Sequence, residues 1–137
     1  MKLDDDLFER GIEMMGAVMG EDWIKAARKR HDAAVVSGDV ERNDFSTQVL
    51  FGFMFNRPQL SLRDRALIMI TTDIVQGTPS ALVSHLAVGL YAGLTRDEIE
   101  ETVFQLTQYC GFGRAREGSI VIAKFFADLE AAKKETK

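Results

Sequence analysis

Between Ala66 and Leu94 only one residue, Asp73, carries a formal charge, and the stretch is cut once, at Gly77-Thr78-Pro79. Each half is long enough for a helix and apolar nearly all round, whereas a helix on a domain surface is apolar along one stripe. Two such helices have to be covered on every side. A chain of 137 residues has limited means of enclosing both, so the segment predicts an obligate homo-oligomer whose other copies supply the cover. Asp73, Pro79 and the glycines interrupt the run too often for a membrane span.

The remaining segments also repeat apolar residues at helical spacing, and two prolines with few runs of β-branched alternation leave little room for strands. The chain is therefore predicted to be all-α, a single domain over residues 1–137. A first helix covers about 4–19, with Leu7, Ile12, Met15 and Met19 inward and Gly20 as its stop. A second covers 22–36, buried through Trp23, Ala26, Ala27 and Val35. Residues 37–43 read as a polar loop, and a third helix, 44–55, ends before Pro58. Ser61 caps a fourth over 62–76, stopped by Gly77, and Pro79 opens a fifth that runs to about Ala92. Thr95 with Glu98 forms a capping box for a sixth, whose stripe is Ile99, Val103, Leu106 and Cys110. The last, 114–133, is read as burying Ile120, Ala123, Phe126, Ala127 and Leu129.

A net charge of -4 argues against binding to nucleic-acid phosphates, and the basic run from Lys25 to Arg30 spreads round its helix as a solvated face. Cys110 is the only cysteine, which rules out an internal disulfide, a Cys-x-x-Cys redox pair and a zinc knuckle, and fits a reducing cytoplasm. Met1 to Arg10 is acidic and lacks the order of a secretory signal.

Several polar residues break the apolar pattern. His85 shares a helical face with the small residues Ala81, Val88 and Ala92, where an imidazole either exchanges protons in a pocket or is satisfied by a core carbonyl. Asp73 sits on the apolar side of its helix and needs a partner or a proton, as an acid–base group or as an ion pair between helices or subunits. Arg57, Arg63 and Arg65 cluster near Pro58, as a carboxylate site or as a salt-bridge set with Asp64. Tyr109 either donates a hydrogen bond to a ligand or packs, and Cys110 reads as an inert thiol.

Phe55-Asn56-Arg57-Pro58, Arg63-x-Arg65, His85, Gly93-Leu94-Thr95-x-x-Glu98-Ile99 and Tyr109-Cys110-Gly111, in that order, resemble the carboxymuconolactone decarboxylase family over residues 44–130. The resemblance implies a compact orthogonal bundle of six to seven helices of the alkylhydroperoxidase D-like type, assembled as trimers or hexamers, with no metal or organic cofactor. The thiol-peroxidase branch of that family uses two cysteines where this chain has Thr78 and Ala81, so peroxidase chemistry is excluded for want of a thiolate. The decarboxylase branch implies loss of carbon dioxide from 4-carboxymuconolactone, in aromatic-compound catabolism. In that reading His85, Arg65 and Asp73 are catalytic, Arg57, Arg63 and Tyr109 bind the carboxylate substrate, and His85 delivers the proton. Ser80, Ala81 and the charged stretch Arg114 to Glu117 differ from the family where substrate specificity is expected. A non-catalytic small-anion binder and a lactone hydrolase or isomerase using His85 are the competing classes.

Overall fold

The computed structural model describes residues 4–135, and every regular element among them is a helix, as the apolar spacing predicts. The chain divides into two compact units between Ser61 and Leu62. No described helix is long and apolar enough to cross a membrane.

The first unit holds α1 (Asp5–Met19), α2 (Glu21–Ser37), α3 (Val40–Phe45) and a π-helix (Ser46–Met54). Asp4 caps α1, its Oδ1 accepting from the Leu7 N–H at 3.1 Å. Leu7, Phe8, Gly11, Ile12, Met15 and Val18 form the buried stripe, with Met19 at its half-buried edge. In α2 only Ala27 and Ala34 are buried, and Trp23 and Val35 are exposed. The face drawn through Trp23, Ala26, Ala27 and Val35 is thus corrected to a narrower line of two small residues two turns apart. The loop expected over 37–43 is also corrected, because α3 begins at Val40 and only Gly38, with a left-handed φ of 75°, and Asp39 separate the two helices.

The π-helix replaces the regular helix expected over 44–55, and the Phe55 N–H reaches back to the Leu50 carbonyl at 2.9 Å, five residues away. It lies against α1 at two glycines. A Cβ on Gly11 would collide with the Thr47 carbonyl, and one on Gly52 with the Leu7 carbonyl. Alanine at 52 gains about 1 kcal/mol of helix propensity, but its methyl meets backbone, which cannot rotate aside. Gly52→Ala is therefore expected to destabilise the unit by a net 1–2 kcal/mol, roughly, after overpacking is offset by propensity. Thermal unfolding checks this, and an unchanged or raised midpoint would contradict it.

The second unit holds α4 (Leu62–Gln76), α5 (Pro79–Tyr91), α6 (Arg96–Cys110) and α7 (Phe112–Glu135). Ile70, Ile74, Leu82, Leu86, Ile99 and Ile122 are its most enclosed side chains. The Gly77 stop, the proline in the first turn of α5 and the Thr95–Glu98 capping box all stand where the sequence puts them. Ile99, Val103 and Leu106 are buried, but Cys110 is only half-buried. α7 departs most from expectation. Its buried line is Ala115, Gly118, Ile122 and Phe126, while Ile120 is 57 % exposed. Of the residues expected inside, Phe126 is buried but Ala123 and Ala127 join Ile120 outside, because the contact with α4 is made by a glycine: a Cβ on Gly118 would lie 3.0 Å from Ile74 Cγ1. Ile68 and Val75 on α4, and Val83 on α5, remain exposed within the chain.

Candidate functional site

The turn between α4 and α5 builds the site. Gly77 takes a left-handed φ of 70°, which an L side chain rarely adopts, so the chain reverses at once. The Asp73 carbonyl accepts from the Gly77 N–H at 2.8 Å and from the Thr78 N–H at 3.0 Å. This folds Thr78 over the last turn of α4, where its hydroxyl donates to Asp73 Oδ1 at 2.9 Å. From α5, His85 Nδ1 meets the other carboxylate oxygen, Asp73 Oδ2, at 2.5 Å.

Asp73 is thus 6 % exposed with a partner for each oxygen, which is what a buried carboxylate requires. A carboxylate only accepts, so Nδ1 carries the hydrogen and Nε2 is the ring nitrogen left for proton exchange. The imidazole keeps about a quarter of its side-chain surface exposed, and the ring is therefore both oriented and accessible.

Asp73 also lines a largely apolar cavity of about 320 Å³ together with Ile74, Thr78, Leu82, Glu117 and Val121. Its remaining walls include Gly77, Pro79 and Gly118. On α7, Arg114 Nη1 donates to Glu117 Oε2 at 2.8 Å. The same guanidinium lies over Gly77, where an added Cβ would come within 2.8 Å of Arg114 Cζ.

The other residues singled out in the sequence are placed differently. Arg63 Nη1 donates to the Gly93 carbonyl at 2.6 Å, and its Nη2 pairs with Glu98, so it is tied into the start of α6. Tyr109 is 75 % exposed and lines a groove between α4 and α6 with Leu67, Thr71, Val75 and Gln105. Arg65 is half-buried on α4, eight residues before Asp73. Arg57 belongs to the first unit, with its guanidinium 5.6 Å from the Phe53 ring centroid. Asp73 and His85 are brought together; of the two, Asp73 lines the cavity, and Arg63, Arg65 and Tyr109 do not. Thr78 and Arg114 were not among the residues proposed from sequence. Thr78 carried a signal, a hydroxyl directly after the glycine stop of a helix with a buried acid.

The α6 start gives a pH-dependent expectation. The Thr95 N–H, and after it the Arg63 side chain, hold the Glu98 carboxyl below the usual glutamate range. A folded value below the unfolded one contributes stability that is complete above the ordinary glutamate range and lost as pH falls through the lowered value. Glu98→Gln cannot titrate. The difference in thermal midpoint between wild type and this variant should therefore narrow below about pH 4, the ordinary carboxyl range. A difference constant down to pH 3 would contradict the assignment.

Comparison with known proteins gives a consistent picture. The model of the carboxymuconolactone decarboxylase family matches residues 43–124. Over 129 residues, 94% of this chain and 93% of the relative, the sequence is 24% identical to a 4-carboxymuconolactone decarboxylase of Acinetobacter baylyi. It is 30% identical over 83 residues to an uncharacterized 15.0 kDa protein from the nqo9-nqo10 intergenic region of Paracoccus denitrificans, covering 59% of this chain and 62% of that one.

Proposed function

Because the chain belongs to the carboxymuconolactone decarboxylase family, we propose that it is a cofactor-free carboxy-lyase acting on a small unsaturated lactone carboxylate of the 4-carboxymuconolactone type. The observation that carries this reading is the Asp73–His85 pair at 2.5 Å, with Asp73 on the wall of a mostly apolar cavity.

In this reaction the bond from ring carbon to carboxylate breaks and carbon dioxide leaves. The electron pair stays on the substrate and spreads into the unsaturated lactone as a dienolate. A proton then adds at carbon, completing the balance. The protein has to stabilise the dienolate and supply that proton. His85 Nε2 is the donor, Asp73 and Thr78 fix the ring, and solvent returns the proton between turnovers. Apolar walls favour release of the carboxylate as neutral carbon dioxide by weakening the hydration it would lose. Arg65 is assigned to the developing negative charge.

Ile68, Val75, Val83, Tyr91 and Phe104 are large exposed apolar side chains on α4, α5 and α6, and they support a homo-oligomer in which a second copy covers them. Tyr109 lines a groove that includes Val75, and Arg63 lines a second groove with Leu67 and Glu98, so their part in binding substrate is proposed to depend on the neighbouring copy. Aromatic-compound catabolism is the setting this substrate class would imply. Spectrophotometric turnover of 4-carboxymuconolactone by the purified protein tests the reading, and absence of turnover would overturn it.

A further inference from the structure

We propose that Arg114 receives the carboxylate that the substrate retains, and that Glu117 holds the guanidinium until this exchange. The inference rests on the carboxy-lyase reading and deepens it.

Two carboxylates line the cavity, Asp73 and Glu117, and an anionic ligand would be repelled by both if they were uncompensated. Each has a partner, but the two arrangements differ. Asp73 is buried and both of its oxygens are taken, by Thr78 and His85. Glu117 is 67 % exposed and pairs with Arg114 through one contact between neighbouring turns of α7. Exposed pairs of this kind contribute little, so solvent can receive Glu117 with small loss. A carboxylate arriving on Arg114 from the cavity side can instead form the two-pronged, charge-assisted contact that guanidinium favours, with apolar walls excluding water.

Gly77 makes this possible. It lines the cavity, and the Arg114 guanidinium sits where a side chain at 77 would stand. The cation is thereby set next to Thr78, the residue that grips Asp73. It is a poor partner for the carboxylate that leaves. That group becomes neutral carbon dioxide, so a cation bound to it would stabilise the ground state more than the transition state and slow the reaction. A second, retained carboxylate gains a constant anchor and suffers no such penalty. The charged stretch at the start of α7 thus reads as the specificity element of this chain.

The test uses the full chain in two measurements, steady-state turnover of 4-carboxymuconolactone and calorimetric binding of cis,cis-muconate against its dimethyl ester. Arg114→Gln should raise KM, and weaken muconate binding, by about 10- to 100-fold, the range for losing a charged hydrogen-bond partner. Its kcat should stay within about threefold of wild type, because the anchor acts equally on ground and transition states. Arg114→Lys should fall between the two. Glu117→Gln should lower KM by about two- to fivefold, the scale of an exposed ion pair, an improvement that a merely structural role would not produce. Binding of the dimethyl ester should be the same in all variants, and circular dichroism confirms that each is folded. Muconate binding insensitive to Arg114→Gln, equal weakening by Glu117→Gln and Arg114→Gln, or no muconate binding by wild type would each overturn the proposal. Arg114-dependent binding without turnover would leave it standing and overturn the lyase reading alone.

Discussion

Replacing His85 by alanine is expected to lower kcat for 4-carboxymuconolactone by about 10²- to 10⁴-fold, the contribution typical of a positioned proton donor. KM should change little, since the imidazole serves the step after carbon dioxide departs. Asp73→Asn separates orientation from proton delivery. In the wild type, both carboxylate oxygens accept, one from the Thr78 hydroxyl and one from His85 Nδ1. An asparagine has a single side-chain acceptor, so it can keep the His85 bond only if the Thr78 hydroxyl turns to accept from its amide. Its kcat should accordingly fall less than that of His85→Ala, by about tenfold to a hundredfold, and a Thr78→Val change should have a smaller effect of the same sign. Rapid-quench or continuous ultraviolet assays on folded variants read these values. Equal turnover by wild type and His85→Ala would remove His85 from the mechanism. A larger loss in Asp73→Asn than in His85→Ala would make the carboxylate, rather than the ring, the proton carrier.

The fold class and most of the second unit were legible because their signals are local. Gly77, Pro79 and the Thr95–Glu98 box act within one turn of where they stand, and the corresponding ends fall as predicted. Helix faces were less legible where small residues make the contact. Ala115 and Gly118 add little to an apolar count, yet they set the side of α7 that meets Ile74, and so they leave Ile120 outside. The π-helix had no local signal either. Its packing depends on α1, whose Leu7 carbonyl leaves room only for the bare Cα of Gly52, and no local pattern encodes that contact.

The site divides in the same way. Asp73 and His85 were each conspicuous as polar residues on apolar faces, and their joining needs only the tight turn between two adjacent helices. The fate of Arg63 depends on Gly93 and Glu98, thirty and more residues away, which no local pattern encodes. Arg114 was noticed only as a charged stretch, because its significance arises from Gly77, on another helix end.

A second histidine–aspartate pair lies in the first unit, and breaking it should produce the largest loss of stability of any single side-chain change considered for this chain. Asp44 at the end of α3 is 1 % exposed, and its Oδ2 is 2.5 Å from His31 Nδ1 on α2. The His31 ring in turn lies against Phe8 of α1, with centroids 4.3 Å apart and an interplanar angle of 30°. One imidazole thus joins three helices, and it is the side-chain partner of that buried carboxylate among the described residues. His31→Leu would keep much of the contact with Phe8 while leaving Asp44 enclosed without its hydrogen-bond donor. Removing one member of a buried pair costs about 3–5 kcal/mol, and about 2–4 kcal/mol here, since the ring is a quarter exposed. A drop of roughly 8–15 °C in thermal midpoint follows for a domain of this size. The double variant His31→Leu with Asp44→Leu removes the stranded charge as well, so it should recover most of the loss, and the non-additivity measures the coupling of the pair. His31→Leu unfolding at the wild-type midpoint, or a double variant no more stable than the single one, would show that the pair does not hold the unit together.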